Sequence, residues 1–565
     1  MKVSKDWLKH LIDLCTPFEE VERLLPLRSI AIKEFAQDYF ELDMKGYNRA
    51  DLLSLRGVAC EVAAITNSAV NFTESKENEY IWFGKNVPKV QVKVGNKTLC
   101  PFYCLAKIEG LKSDKSPKNW IKKLEQSGIR SINNIADITN LIMWEYGQPL
   151  HSFDANSVEN EEIIVRVAKD GEKLTTLDGK VRDLTPKDLV IADPKKALGL
   201  AGVMGGKNSE ITDSTTTILL EAAIFDPVMI RQTATRLNLE SEASKRFEHG
   251  LTKKRLLQAL NAAIRMYQDL GGKLVGLTIV GEFEDQVRKI ELGIEKLNSL
   301  IGVEIDPKFI EESLTKLHFA LEKIKEGRWV VIPPYFRLDI NLEEDIIEEV
   351  ARLYGYENIP STALPEELPA PIDQKLVHFL YDVKAELVKI GLTEVETYSY
   401  FSTQVIENLK LNSKNLIRIG NSMSAETEYL RSDLWPNLLQ VAAKNLKTRK
   451  SLAIFEVGKV YLAQKTSVPE EEYRLAMLVV SDTTESIQEL YAELHKMADD
   501  FKLKFDIDED KKDEGIFHPL RNVEIKHKGK IIGRIAEIHP RVTDKFGISQ
   551  RVAILEIKID PLAEK

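Results

Sequence analysis

Apolar positions recur along this chain with two different periods, and the period changes from block to block. The opening stretch MKVSKDWLKHLIDL has its apolar residues at helical spacing and predicts a short amphipathic helix. Residues 30–44 (IAIKEFAQDYFELDM) alternate instead, as a half-buried strand does. After the loop KGYNRAD the helical period returns, with Leu52, Leu55, Val58, Ala59 and Val62 on one stripe. Residues 1 to about 85 therefore read as one small helix-plus-strand domain.

From 86 to 275 short strands dominate. KVQVKVG, FYCLAKIEG, EIIVRVAK, DLVIAD and TTTILLEAAIF are separated by turn signals such as Asp178-Gly179. Two helices are predicted near 227–238 and 252–270, the second stopped by Gly271-Gly272. Residues 276–362 read as a small, mainly helical unit with little strand. A proline-rich stretch, PSTALPEELPAPID, marks a boundary after it. Residues 363–565 begin with a helix near 374–390 and continue in strands (ETYSYFS, LAIFEVGKVYLA, YRLAMLVVS, VEIKHKGKIIGRIAEI, VAILEIKI) without βαβ spacing, which predicts a mostly antiparallel sheet. The expected class is α+β, in four domains bounded at 85, 275 and 362.

Composition narrows the chemistry. The chain has 565 residues, 43% hydrophobic and 29% charged, as in globular proteins. No apolar run approaches the ~18–20 residues of a membrane span, and the first residues lack the features of a signal peptide. Four cysteines make a disulfide scaffold unexpected and point to the cytoplasm. Cys100 and Cys104 have no second Cys/His pair nearby, so zinc is not expected. A net charge of −10 argues against indiscriminate coating of nucleic acid, although KNLKTRK (444–450) and KHKGK (526–530) are locally basic.

Two groups of residues carry candidate chemistry. In RLDINLEEDIIEEVARLYGYENIP, Asp345, Glu348 and Glu349 stand at i, i+3 and i+4 and are expected on one helix face, opposite a buried face of Leu342, Ile346, Val350 and Leu353. Asp339 lies just before the helix. Carboxylates so spaced repel, and Mg²⁺ would relieve the repulsion. An acidic helix N-terminus complementing the macrodipole is the other reading of the same spacing. In the second block, the glycines of GLAGVMGG (Gly199, Gly202, Gly205, Gly206) would let backbone amides approach a ligand. That run lacks the GK[ST] ending of a nucleotide P-loop. His151 follows a proline in a polar segment and could orient water. Glu221 interrupts the apolar run Ile218-Leu219-Leu220 and would face a pocket, where a buried carboxyl suits a phenol hydroxyl. Asn140 can donate and accept. A structural hydrogen bond is the alternative use of a lone His.

Taken in order, these motifs resemble a known family. SINNIADITNLIMWEYGQPLHSFDANSV, LTTLDGK, GLAGVMGG, ILLEAAIFDP and SEASKRFEHGL are similar to the B3/B4 editing domain of phenylalanyl-tRNA synthetase β-subunits. Asp339-x5-Asp345-x2-Glu348-Glu349, with Arg337 ahead and Tyr354-Gly-Tyr-x-x-Ile-Pro360 behind, resembles their B5 domain, a small helical, winged-helix-like unit. GLTEVETYSY, NSMSAETEYLRSDLWPNLLQ, LAIFEVGKVY and FHPLRNVEIKHKGKIIGRIAEIHP look like their B6/B7 region, an antiparallel-sheet, class II synthetase-like domain without an active site. Asn48-Arg49-x-Asp51-Leu-Leu-Ser54-x-x-Gly57-x-Ala59-x-Glu61 resembles the B1 domain.

The resemblance implies a subunit that supports ATP-dependent attachment of phenylalanine to tRNA by an α-subunit, in an α2β2 tetramer, and that itself hydrolyses tRNA mischarged with tyrosine. A phenylalanine pocket discriminates an isostere bearing one extra hydroxyl only by roughly 10²-fold, which is why a second, hydrolytic site is useful. The resemblance further implies that His151, Glu221 and Ser241 act in editing, that Gly202 and Ala243 line the same site with Asn140, and that Asp339, Asp345, Glu348 and Glu349 hold Mg²⁺. Ser241 stands where many members have Thr. No G-x-G-x-x-x-R motif is found, and Arg431 is the nearest motif-2-like arginine, so ATP chemistry is assigned to another chain. There is no room for a bacterial-type OB-fold insertion between residues 62 and 90, and no ferredoxin-like anticodon domain follows Lys565, which points to the archaeal/eukaryal type. His518 and His539, each before a proline, are expected to serve turns. A free-standing aminoacyl-tRNA deacylase and a non-enzymatic tRNA-binding scaffold are the alternatives.

Overall fold

A computed structural model describes residues 1–363, 374–464, 468–481, 486–509 and 515–563. Most of the proline-rich stretch expected as a boundary lies outside the described residues. The chain divides into two compact units, 1–363 and 364–565.

In the first unit, the sheet that matters for function has four antiparallel strands, in the order Lys273–Gly281, Phe102–Glu109, Thr217–Ile224, Leu150–Asp154. Its two central strands are apolar along nearly their whole length and buried on both faces, as such runs require. Helices Asn134–Tyr146 and Lys253–Asp269 pack on each other and against this sheet. A second, five-stranded sheet runs Met204–Gly205, Ala197–Leu200, Leu189–Ala192, Ile163–Val167, Val92–Val94, with only the last pair parallel. Both sheets share one hydrophobic core.

Helix Asn134–Tyr146 was hidden in a block that read as strand-rich. Its ends are well marked. The Asn133 side chain accepts from the amides of Ile135 and Ala136, and Gly147 closes it at φ +76°. The strand Lys273–Gly281 also crosses the boundary expected at 275, because residues 276–281 pair with Phe102–Lys107 of the central strand.

The small unit that follows holds more strand than expected. Ile290–Gly293, Arg328–Ile332 and Ala320–Lys325 form an antiparallel sheet in that order, beside helices Ile294–Ile301, Pro307–Lys316 and Glu343–Tyr354. The edge strand ALEKIK is nearly all solvent-facing, so it carries no apolar signal. At the chain's start, Lys2–Ser4, Tyr39–Leu42 and Ile32–Phe35 form a sheet with helices Lys5–Leu11, Phe18–Arg28 and Leu55–Thr66. Its core is continuous with that of the Glu343–Tyr354 helix.

The second unit is built on a seven-stranded sheet, ordered Thr393–Glu394, Leu452–Leu462, Glu470–Ser481, Arg551–Lys558, Lys530–Ile538, Phe517–His527, Asp506–Glu509. Every pair but the first is antiparallel. The run VEIKHKGKIIGRIAEI folds as a hairpin, turned at Lys528 (φ +50°) and Gly529 (φ +76°), the left-handed pair a two-residue hairpin demands. Arg431 is buried against Glu456 (2.7 Å) and donates to the Lys459 carbonyl (2.9 Å). His539 caps the short helix Pro540–Thr543, and His518 accepts from the Leu520 amide. Both histidines serve turns.

Candidate active site

A cavity of about 350 Å³ opens between helix Asn134–Tyr146, the Leu150–Asp154 strand edge, the glycine-containing turn 199–205 and the start of helix Glu242–Glu248. Asn140, His151, Gly202, Glu221, Ser241 and Ala243 all line it. Six residues spread over about a hundred positions thus converge on one space, and the topology explains how. Strands Leu150–Asp154 and Thr217–Ile224 are neighbours, and their register sets Glu221 directly opposite His151. Directly opposed residues share a face.

Glu221 is 7% exposed. Its Oε2 accepts a hydrogen bond from the Tyr103 hydroxyl at 2.6 Å. Burial pushes its carboxyl up to about 7, and the phenol hydrogen bond pulls the other way without restoring the ordinary value. Tyr103 is itself fully buried, and burial together with the adjacent Glu221 raises its hydroxyl. A carboxyl that already accepts one phenol from its own chain, and that lines a cavity, has the chemistry to accept a second from a ligand. Sequence reasoning missed Tyr103. The signal was available in the pairing: Glu221 faces Leu105, which leaves Tyr103 as the diagonal neighbour on the same face.

His151 sits in a strand, not in the polar loop expected. Burial lowers its imidazole to about 4, so the ring is neutral at physiological pH. Its Nε2 is buried and has no hydrogen-bond partner, and the ring stands edge-on to Phe153 with centroids 4.5 Å apart. A Cβ placed on Gly205 would come within 2.8 Å of Nε2, so glycine is required there for the imidazole to fit. A buried, unpartnered ring nitrogen costs free energy unless a water or a ligand meets it.

The Ser241 hydroxyl is engaged by the backbone on both sides. It donates to the Val203 carbonyl (2.7 Å) and accepts from the Ser244 amide (3.0 Å), capping helix Glu242–Glu248. Its proton is committed, so its part is to fix the glycine turn against that helix. Gly202 takes φ +67°, and a Cβ there would lie 2.7 Å from Ile230 Cδ1. The Gly206 amide is taken by the Leu198 carbonyl. The Asn140 side chain makes no hydrogen bond among the described residues, so its amide is available to a ligand. Met143, Phe153, Leu177 and Phe247 complete an apolar wall.

The four acids expected to bind Mg²⁺ are not brought together, and Asp345, Glu348 and Glu349 do not share one environment on their helix. Asp345 accepts from the Asn341 and Leu342 amides at its helix's N-terminus (2.7 and 2.8 Å). Glu348 is exposed. Glu349 is 3% exposed and is gripped by Arg337 and Arg352. Asp339 is held by both ends of the Arg337 fork (2.9 and 2.7 Å). Leu342, expected to be buried, is 61% exposed. No group of three or more potential ligands converges among the described residues. The donor set does not fit a common ion, because two of the four carboxylates are neutralised by guanidinium groups and a third caps a helix. What forms instead is a buried chain of ion pairs, Asp51–Arg49–Glu61–Arg352–Glu349–Arg337–Asp339, joining the start of the chain to this helix. Cys100 and Cys104 are buried free thiols, raised by burial.

Comparison with known proteins agrees with this layout. A "B3/4 domain" model matches residues 99–272, which enclose the cavity. A "tRNA synthetase B5 domain" model matches 290–356, and a "Phenylalanyl tRNA synthetase beta chain CLM domain" model matches 359–559. The phenylalanine–tRNA ligase beta subunit of Moorella thermoacetica is 36% identical over 90% of this chain and 65% of its own length. That of Geobacter metallireducens is 33% identical over 91% and 66%, and that of Syntrophotalea carbinolica 31% over 99% and 71%. The chain spans about two thirds of the length of the curated relatives it matches. At this identity and coverage, the chain belongs to the phenylalanine–tRNA ligase β-subunit family.

Proposed function

We propose that this chain works with a class II synthetase α-subunit, in an α2β2 assembly, to attach phenylalanine to tRNA, and that its own chemistry is hydrolysis of tRNA mischarged with tyrosine in the Glu221 cavity. One observation carries the reading. The cavity presents a buried carboxyl that already accepts a tyrosine hydroxyl from Tyr103, in a wall that also holds Met143, Phe153, Leu177 and Phe247. A phenylalanyl group would leave that carboxyl with the Tyr103 hydroxyl alone, whereas a tyrosyl group would add a second donor. A site built to bond a hydroxyl rejects the analogue lacking it far more strongly than an apolar pocket rejects an added one.

In this reading Glu221 and Asn140 recognise, Gly202 and Ser241 shape, and Ala243 leaves room. His151 is the group that meets the hydrolytic water, as a neutral acceptor at Nε2. No step requires a metal. Arg431, sealed against Glu456, supports the absence of ATP chemistry in the second unit, which we read as a synthetase-like domain without an active site. The relatives compared are bacterial and lend no support to the archaeal/eukaryal type expected from the sequence. Residues 71–91, between the short strand Ala69–Val70 and the strand Val92–Val94, are too few for an OB-fold. We therefore propose a member without the OB-fold insertion. No helix among the described residues is long and apolar enough to cross a membrane, and we propose a cytoplasmic complex.

The test is deacylation of Tyr-tRNA by the chain co-expressed with its α-subunit. Glu221→Ala is expected to slow hydrolysis by about 10–100-fold, as loss of a hydrogen bond to a charged group implies. A wild-type rate in that variant would remove Glu221 from the site.

A further inference from the structure

A second cavity lies apart from the one discussed above. About 550 Å³ in volume, it lies where helix Leu55–Thr66, the start of helix Lys253–Asp269 and the segment 334–336 meet. Its walls are aromatic, with Phe72, Tyr146, Tyr335 and Phe336 all facing it. Its charges are unbalanced in an informative way. Asp51 is held by Arg49, and Arg56 by Glu145. Glu74 accepts from the Tyr335 hydroxyl (2.7 Å) and pairs with Lys254 (2.6 Å).

Arg255 stands apart. It is 6% exposed and, among the described residues, has no ion-pair partner and makes one side-chain hydrogen bond, from Nη1 to the Ala50 carbonyl at 3.3 Å. A guanidinium carries five N–H donors. This one is placed in the first turn of a 17-residue helix, where the macrodipole also disfavours a cation. Asp285 does not answer it, because its two oxygens are taken by the Lys253 and Lys254 amides (2.7 and 2.9 Å). A buried cation without a partner is expensive. Asp51, Asp285 and Glu74 act on this charge without forming an ion pair with it, and the open space beside it is the cavity that Arg255 lines.

We infer that this cavity binds a planar aromatic anion of nucleoside-monophosphate size, its anionic group on Arg255 and its ring among Phe72, Tyr335 and Phe336. Guanidinium groups favour phosphate and carboxylate oxygens in forked geometry, and aromatic walls favour a flat ring. The site is about 200 Å³ larger than the Glu221 cavity and shares no lining residue with it, so this inference does not depend on the editing assignment.

The experiment is calorimetric titration of the full chain with AMP, with inorganic phosphate as the second arm. AMP is expected to bind saturably with a Kd below about 1 mM. Arg255→Met and Phe336→Ala should each weaken binding by about tenfold or more. Because Arg255→Met removes a buried charge and could unfold the chain, 8-azido-AMP labelling of the wild-type protein locates the ligand independently. Label is expected on peptides containing Phe72 or residues 334–336. Absence of saturable AMP binding, label confined to other peptides, or phosphate binding as tightly as AMP would overturn the inference.

Discussion

Glu349 offers the sharpest test of how the acidic segment is used. Its carboxylate accepts from Arg337 and twice from Arg352 (2.9 and 2.6 Å), and it is almost wholly buried. Burial disfavours its charge, but the two guanidiniums outweigh burial and hold the carboxyl well below its usual range. Glu349→Ala would leave Arg337 with Asp339 alone and Arg352 with Glu61 and the Arg28 carbonyl. Breaking a buried pair by removing one partner costs about 3–5 kcal/mol. Glu348, one position earlier, is exposed, and truncating it should change stability by no more than about 0.5 kcal/mol. Urea unfolding of the two variants, with and without EDTA, separates the two uses of these acids. The ion-pair network predicts a large loss for Glu349→Ala, almost none for Glu348→Ala, and no effect of EDTA on the wild type. The sign with pH is fixed as well. A depressed carboxyl contributes stability above its unfolded pKa of about 4.5 that is lost on acidification below it. The Glu349→Gln variant should therefore lose less than the wild type as pH falls. Equal loss of bound Mg²⁺ from both alanine variants, or a Glu349→Ala cost below about 1 kcal/mol, would refute the argument.

Two further outcomes follow from the Glu221 cavity. Glu221 has its carboxyl raised from the ordinary 4.5 to about 7, so its stabilising proton is present below pH 4.5 and lost as pH rises through 7; Glu221→Gln should gain on the wild type over that window by about 3 kcal/mol, read from unfolding curves at several pH values. Gly202→Ala must hold φ +67° and place a Cβ 2.7 Å from Ile230, for a cost of about 1–3 kcal/mol, and a thermal midpoint equal to the wild type would show that the turn can relax.

Much of this was legible in the sequence where period and chemistry agreed. The helices found as Pro227–Arg236 and Lys253–Asp269, the Glu221 interruption of an apolar run and the antiparallel second unit were all readable from apolar period and turn residues. Asn140, His151, Gly202, Glu221 and Ala243 came together as a set because their motifs carried the resemblance, not because spacing alone could place them. The failures have physical causes. The strand ALEKIK is an edge with both faces wet, so it has no apolar pattern to read. Ser241 was placed in the site by the resemblance alone, and its acceptor, the Val203 carbonyl 38 residues away in sequence, could be found only in the fold. The acidic helix shows how much spacing leaves open. Spacing showed that its carboxylates need positive charge, but Arg337, Arg352 and the distant Arg49 supply it, and only the fold shows that they reach.

Glu221 and Glu349 show what distinguishes a site from a staple when both are buried carboxylates in the same unit. Each interrupts an apolar environment, and each is less than a tenth exposed. Glu349 meets two guanidiniums, its charge is compensated, and its pKa falls; no oxygen is left for chemistry. Glu221 meets one neutral phenol, its charge is not compensated, and its pKa rises toward neutrality. A carboxyl kept near neutrality beside open space costs stability that a purely structural residue would not need to cost, since glutamine or leucine would fold more cheaply there. By the same reasoning Arg255, a buried cation with no ion-pair partner among the described residues and beside a larger cavity, belongs with Glu221 and not with Arg337 and Arg352. In this protein, uncompensated burial next to a cavity is what separates residues that wait for a ligand from residues that hold the fold.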